Sequence, residues 1–229
     1  MGSYTTRRGA RTGATIWRAS SDGPRKRVVP DGVLDLMWFR DRLVVAGPDT
    51  RAFDAETRTG EVTWGLRFGP GVAHALLGVP AHELANQRVA LSDLVTPPQC
   101  AGSSFETDAA DALERVFVAL WTRKTPQRSE LRVAASLDRA ARGGLNVPDT
   151  ARRHNLSERS LRRLSNRLFG YGPKTLTRIH RFQRAVRLAR SGAPLGDAAA
   201  RAGYVDQAHF NRDTKDFTGL TPATLTRTS

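Results

Sequence analysis

The hexapeptide PKTLTR at residues 173–178 returns 49 residues later as PATLTR at residues 222–227. The same offset relates further positions, namely Ala151–Arg152 with Ala200–Arg201, Ser157 with Asp206, Leu161 with Phe210, Arg163 with Arg212, and Gly170 with Gly219. A repeat that preserves helix-capping residues, glycines and basic residues at one offset indicates that the chain contains the same supersecondary unit twice.

Each copy has the pattern of a short helix, a three-residue turn and a second helix. The copies, here called the first unit and the second unit, span residues 147–168 and 195–217, and their second helices begin at the caps Ser157 and Asp206. In the first unit, apolar residues three and four positions apart, starting at Leu161, define a buried face and leave a cationic outer face. This combination is the physical description of a helix-turn-helix.

The charge of the chain is concentrated in the part that contains the repeat. The 229 residues include 36 Lys or Arg and 22 Asp or Glu, a formal net charge of +14. Residues 126–229 hold 20 of the basic and 8 of the acidic residues and therefore carry +12. Because a cationic module usually binds nucleic acid, we expect double-stranded DNA as the main partner.

Several classes of protein are excluded by composition. A lone cysteine, Cys100, excludes an internal disulfide framework and a Cys-rich zinc site. No apolar run is long enough to cross a bilayer, and residues 1–13 lack the apolar segment of a secretory signal. We therefore expect a cytoplasmic, nucleoid-associated protein with no membrane partner, no metal and no cofactor.

The fold class predicted from these patterns is α+β. Residues 1–15 show no periodicity and predict a flexible basic tail, and short apolar runs between turn signals predict a small mainly-β sensor or interaction domain with short helices over residues 16–103. The pattern of residues 104–126 predicts a linking helix. Residues 127–229 show helical patterns only and predict an all-α domain with two helix-turn-helix units.

The C-terminal hundred residues resemble the DNA-binding domain of the AraC/XylS family of bacterial transcription regulators. The segments that carry the resemblance are ARR at 151–153, SERSLRRL at 157–164, GPK at 172–174, AARAGY at 199–204, DQAHF at 206–210 and TGLTP at 218–222. The resemblance implies two helix-turn-helix units joined by a long helix over 174–190, each inserting its second helix into the major groove.

The N-terminal half resembles the sensor-like domain that precedes this DNA-binding domain in some actinobacterial regulators. The matching segments are VPDGVLDL at 29–36, VAGP at 45–48 and GLRFGPG at 65–71, the last of which leads into LLGVPA at 76–81. This resemblance implies the type of domain but no particular ligand.

The expected DNA contacts lie on the outer faces of the two second helices. Base-edge contacts are predicted for Arg159, Arg162 and Arg163 in the first unit and for Gln207, Asn211 and Arg212 in the second. The full set of predicted DNA-binding residues is Ser157, Arg159, Ser160, Arg162, Arg163, Asn166, Arg167, Gln207, His209, Asn211, Arg212 and Lys215.

Two features of this domain are left open by the sequence. Ser165 and Thr214 stand where the family resemblance implies bulky aromatic residues, so looser packing of both second helices is expected. Arg178, Arg181 and Arg184 of the long helix are equally suited to intramolecular pairs and to phosphate contacts.

These observations predict a sequence-specific DNA-binding transcription regulator that is not an enzyme. A small effector bound to the N-terminal domain and RNA polymerase are further candidate partners, and both a monomer and a homodimer are compatible with the sequence. The alternatives are a non-specific nucleic-acid-binding architectural protein and a DNA alkylation-repair protein that uses Cys100. The N-terminal half could also be a protein-interaction module that binds no small molecule.

Overall fold

Eight short strands form in the N-terminal half, where apolar residues alternate between turn signals. The computed structural model describes residues 2–99 and 105–227, so Cys100 lies outside the described residues. The strands are β1 Tyr4–Arg8, β2 Thr15–Ser20, β3 Arg25–Val28, β4 Asp35–Phe39, β5 Arg42–Ala46, β6 Phe53–Glu56, β7 Val62–Arg67 and β8 Arg88–Ala90.

Six of the strands form one antiparallel sheet in the order β1-β2-β7-β4-β5-β8. Ile16 lies opposite Leu66, and Leu66 lies opposite Leu36 on its other side. All three side chains are buried, so one face of the sheet carries a continuous apolar row. Strands β3 and β6 pair separately as a two-stranded ribbon.

Most helices follow the sheet in the chain, but the first helix and a 3₁₀ helix precede strand β8. The helices are α1 Val72–Leu77, α2 Leu91–Leu94, α3 Phe105–Lys124, α4 Arg128–Arg142, α5 Val147–Arg153, α6 Glu158–Phe169, α7 Pro173–Arg190, α8 Leu195–Ala202, α9 Gln207–Thr218 and α10 Pro222–Arg227, with a 3₁₀ helix at Ala81–Leu84. The predicted α+β class, a mainly-β domain followed by an all-α domain, is therefore confirmed.

Across residues 2–99 and 105–227, no helix combines the length and apolarity that spanning a membrane requires.

Two hydrophobic cores hold these elements together. The first joins the sheet to α1 and α3, where Leu113, Val116 and Leu120 are buried and Trp38 stacks on Phe105 with ring centroids 4.0 Å apart. The second consists of residues from α4 to α10. The buried residues up to α3 thus belong to the first core, and those from α4 onward belong to the second.

Residues 2–15 contain strand β1 and a loop that contacts α3, so the prediction of a flexible tail is wrong for these residues. Strand β1 pairs along its whole length with β2, and the loop that follows it folds onto Glu114 of α3. This carboxylate is 2% exposed and accepts hydrogen bonds from the backbone nitrogens of Ala10, Arg11 and Thr12 and from Thr12 Oγ1, at 2.7–3.1 Å. The partner lies about a hundred residues away, which is why the local sequence shows no sign of order.

We expect Glu114→Ala to release this loop, because several backbone donors would lose a buried charged acceptor. Trypsin should then cleave after Arg8 and Arg11 about tenfold faster or more than in the wild type. Glu83→Ala is the matched control, since the Glu83 side chain is exposed. Equal cleavage rates in the wild type and both variants would show that Glu114 does not hold the loop.

Candidate nucleic-acid interface

The two repeated units have the helices that the sequence predicts. The first unit consists of α5 and α6 and the second of α8 and α9. Ser157 Oγ accepts a hydrogen bond from Ser160 N at 3.1 Å, and Asp206 Oδ1 accepts one from His209 N at 2.6 Å. Each second helix thus begins at a side-chain cap that satisfies one of its free backbone donors.

The outer faces of α6 and α9 are related position by position through the 49-residue offset. The first recognition face consists of Arg159, Arg162, Arg163 and Asn166, and the second consists of Ala208, Asn211, Arg212 and Lys215. Within each face the spacing is i, i+3, i+4 and i+7, which places the four side chains in one stripe along the helix. All eight are exposed except Asn166, which is half-buried.

The arginines on these faces are available for an external partner. Arg159, Arg162, Arg163 and Arg212 are exposed, and no carboxylate in the described part of the chain lies within ion-pair distance of them. An unpaired guanidinium group can donate two parallel hydrogen bonds to a phosphate or to the O6 and N7 atoms of guanine. The faces therefore present the donors that DNA recognition uses.

Four other predicted residues also have roles inside the molecule. Ser157 and Ser160 share the capping contact of α6. Arg167 is paired with Glu130 of α4 at 3.4 Å. His209 is half-buried, with Nε2 at 3.1 Å from Arg181 Nη2. These contacts position the ends and sides of the helices, and a role in binding DNA stays a prediction for all twelve residues.

Ala208 is not among the predicted contacts, although the repeat offset from Arg159 identifies it. Ala208 is exposed in the first turn of α9, where an arginine stands in α6. Its apolar side chain did not fit the expected pattern of polar contacts. The two recognition faces therefore differ in chemistry at equivalent positions.

The opposite faces of α6 and α9 are buried in the second core, as Leu161 and Phe210 illustrate. Ser165 and Thr214, the two positions without the implied aromatic residue, are buried as well. The hydroxyl of Ser165 donates to Tyr171 O at 2.7 Å, and that of Thr214 donates to Phe210 O at 2.8 Å. Both small side chains are therefore accommodated without an unpaired hydroxyl.

Helix α9 is fastened to α7 by a buried carboxylate. Asp213 is 3% exposed and accepts hydrogen bonds from Arg178 Nη2 at 2.7 Å and from Arg181 Nη2 at 2.9 Å. Arg178 also pairs with Asp216 at 2.9 Å, and Arg184 donates to Arg142 O at 2.9 Å. The long-helix arginines, whose role was open, thus make intramolecular contacts.

The pKa of Asp213 follows from these contacts. Burial tends to raise its pKa, but the hydrogen bonds and charges of Arg178 and Arg181 outweigh burial and hold the pKa below its ordinary value. A carboxyl group whose pKa is lower in the folded state stabilises the protein above its unfolded-state pKa of about 4. That stabilisation is lost as the pH falls below 4 through the folded-state pKa.

We expect Asp213→Asn to lower the free energy of unfolding by about 2–3 kcal/mol. This is less than the cost of breaking a fully buried pair, because both arginines are partly exposed. Urea denaturation at pH 7 measures the loss, and the difference from the wild type should shrink at pH 3, because Asp213 then takes up a proton when the chain unfolds.

Asp216→Asn is the matched control for this prediction, since its carboxylate contacts the same Arg178 but its side chain is 64% exposed. It should cost less than about 1 kcal/mol. Equal losses in the two variants, or a loss in Asp213→Asn that does not change with pH, would contradict the assigned role of Asp213.

Both second helices end against the N-terminal domain. Beyond α6, the Tyr171 hydroxyl is buried and donates to Asp49 O at 2.6 Å. Gly170, which ends α6 with φ +79°, approaches so closely that a Cβ there would lie 2.4 Å from Pro48 Cγ. At the end of α9, Phe217 O accepts a hydrogen bond from Ala52 N at 2.6 Å.

A cavity of about 700 Å³ lies where the N-terminal domain meets α4 and α6. Its apolar wall includes Leu34, Phe68, Phe117, Trp121, Leu168 and Phe169. Its polar wall includes four arginines, Arg8, Arg11, Arg67 and Arg142, of which the last three pair with carboxylates at 2.7 Å. Arg8 instead donates to Gly13 O at 2.8 Å and has no carboxylate partner among the described residues.

Two known families match the chain, one in each half. Residues 150–228 match the family described as a helix-turn-helix domain, and residues 14–90 match a domain of unknown function, DUF6597. No curated protein matches the chain at a significant level.

Several solved structures are similar to the chain at low sequence identity. ToxT from Vibrio cholerae O395 is 9% identical, with a TM-score of 0.51, over 98% of this chain and 97% of ToxT. ToxT of strain SCE256 bound to an unsaturated fatty acid is 10% identical, with a TM-score of 0.47, over 99% of this chain and 94% of that one. The C-terminal domain of AraT, a response regulator from Geobacillus stearothermophilus, is 24% identical, with a TM-score of 0.40, over 45% of this chain and 87% of that domain.

Each of the two family matches falls on one of the two domains of the chain. The helix-turn-helix match covers nearly all of both repeated units, and the other match covers the strands from β2 to β8. The chain therefore carries a helix-turn-helix domain, as the AraC/XylS resemblance of its C-terminal part implies, after a DUF6597 domain.

Proposed function

We propose that the two units read two successive major-groove segments of one DNA duplex in a sequence-specific manner. The observation that carries this proposal is the pair of equivalent, exposed recognition faces on α6 and α9, each at the start of a capped helix. In helix-turn-helix proteins, the N-terminal residues of the second helix contact base edges. Because one chain holds two such helices, it needs no palindromic site.

Affinity and specificity come from different contacts in this proposal. The +12 charge of residues 126–229 attracts phosphates and supplies a large, salt-dependent part of the binding free energy. Arg162, Arg163, Asn211 and Arg212 supply base contacts, since arginine suits guanine and asparagine suits adenine. A regulator of this kind should prefer its site over random DNA by on the order of 10³ or more, whereas an architectural protein should not.

We expect Arg163→Ala and Arg212→Ala to relax base preference in different halves of the selected site. Each should weaken binding to that site by roughly 5- to 150-fold, the range for one bidentate base contact. Selection of bound duplexes from a random pool by the full chain measures the preference.

Arg42→Ala is the control for these variants, because Arg42 is an exposed arginine at the start of β5, far along the chain from both units. It should leave the selected sequence unchanged. A preference that is unaltered in both Arg163→Ala and Arg212→Ala would contradict the base contacts, and no preference in the wild type would favour the architectural alternative.

We further propose that a small organic anion with an apolar body binds in the interdomain cavity and controls DNA binding. The volume suits a small-molecule site, and its lining is apolar except for a few charged groups. Arg8 supplies a positive charge that no described carboxylate neutralises. Leu168 and Phe169 of α6 form part of the wall, so an occupant contacts the helix that bears the first recognition face.

Thermal unfolding with decanoate and with decylamine tests this site. Decanoate should raise the melting temperature of the wild type, since a ligand that binds only the folded state stabilises it. Decylamine should not, because its charge has the sign of Arg8. Arg8→Ala should abolish the shift, and Arg7→Ala, which changes the neighbouring exposed arginine outside the cavity lining, should keep it.

Equal shifts with the anion and the amine, or an unchanged shift in Arg8→Ala, would contradict the proposed charge recognition.

The enzymatic alternative depends on Cys100, which lies outside the described residues. Contacts with RNA polymerase and the oligomeric state stay predictions.

A further inference from the structure

Val205 is the most exposed large apolar side chain in the described part of the protein. It is 89% exposed, and the next, Tyr4, is 55% exposed. Val205 lies in the turn of the second unit, directly before the cap Asp206 of α9. An apolar side chain at that place does not contribute to the core and borders the surface that carries the second recognition face.

The equivalent residue of the first unit does pack. Leu156 is half-buried against the second core, directly before the cap Ser157. An apolar residue before the cap commonly packs on the first turns of the helix and fixes the angle at which the chain enters. In the second unit Tyr204 performs this packing instead, with 5% exposure and its ring centroid 5.3 Å from that of Phe210.

The backbone of the two turns explains the difference. In the first turn, Leu156 N donates to Ala151 O at 2.9 Å. The repeat offset would place the equivalent bond between Val205 N and Ala200 O. In the second turn, however, Tyr204 N donates to Ala199 O at 3.0 Å, one residue earlier. The left-handed residue is Asn155 in the first turn and Gly203 in the second, again one position earlier. Val205 is thus left between the packed part of the turn and the cap, and the fold makes no use of its side chain.

The neighbour of Val205 on the second recognition face is also apolar. Ala208 is exposed three residues further on, at the place where α6 has Arg159. Gln207, Asn211 and Arg212 surround this position with polar and cationic groups. The start of α9 therefore presents two exposed apolar side chains within a polar surface, and the start of α6 presents none.

We infer that Val205, together with Ala208, contacts the C5-methyl group of a thymine in the half-site read by the second unit. This inference rests on the proposed function. The thymine methyl is the apolar group that base pairs present in the major groove, and small apolar side chains are its usual partners. The first unit, with Leu156 packed inward and Arg159 outward, reads its half-site through polar contacts.

Substitution of deoxyuridine for thymine tests the contact, because it removes the methyl group and nothing else. In the duplex selected by the full chain, each thymine is replaced singly and the dissociation constant is measured by fluorescence anisotropy. For the wild type, one replacement in the second half-site should weaken binding about fourfold, the value of one buried methyl group. Val205→Ser should reduce this response to about twofold or less, because Ala208 alone would then contact the methyl group.

The same variant separates a DNA contact from a structural role. Val205→Ser should have nearly the melting temperature of the wild type, since the Val205 side chain is 89% exposed. Val133→Ser, which alters an exposed valine of α4, should retain the fourfold response to deoxyuridine.

Three results would overturn the inference while the proposed function stands: a selected second half-site without thymine, no deoxyuridine position that matters to the wild type, and an undiminished fourfold response in Val205→Ser. Binding by the wild type without any sequence preference would instead overturn the proposed function itself. The two failures are thus distinguishable in one set of measurements.

Discussion

Both recognition faces depend on the burial of one helix, α7, between the two units. Ile179 and Phe182 of α7 are fully buried, and their apolar contacts hold the second core together. Polar side chains of α7 contact two neighbouring helices. Arg178 and Arg181 pair with Asp213 of α9. His180 lies 2.9 Å from Asp138 of α4. Paired charges thus join α7 to α9 and α4, and the second core packs α6 against the same helix.

The N-terminal domain also contacts α7 and the ends of both second helices. Gln183 of α7 donates to Pro30 O at 2.5 Å, and Val29 packs against the second core. The C-terminal ends of α6 and α9 also contact this domain, through Tyr171 and Phe217. A change in the N-terminal domain therefore has direct physical routes to both helices, without requiring a long chain of intermediate contacts.

The parts of the fold that could be predicted from the sequence are those determined by neighbouring residues. The helix starts at Ser157 and Asp206 and the limits of α5 and α8 follow from caps, glycines and apolar spacing, which are local signals. The structure of residues 2–15 could not be predicted, because the loop after β1 depends on Glu114 of a distant helix. The role of Asp213 was missed for a similar reason, since its arginines lie more than thirty residues away.

The candidate site, too, could be predicted from the sequence only in part. The exposed arginines of both recognition faces were predicted correctly as surface residues, because the helical period assigns them to the face opposite the buried leucines and phenylalanines. Val205 was not predicted, since an apolar residue beside a helix cap is expected to pack inward as Leu156 does. Only the backbone of the second turn, with Tyr204 in the packed position, shows otherwise.

The one-residue difference between the two turns makes the tandem repeat chemically asymmetric. Two units with identical faces could bind a DNA site of two identical half-sites in more than one register, shifted by one half-site along the DNA. In the proposed complex, unequal faces assign each unit to its own half-site, so that the N-terminal domain lies toward the same flank of the site in every bound chain. Reversing the site within a promoter would then place that domain on the opposite side, upstream or downstream, of the bound helices.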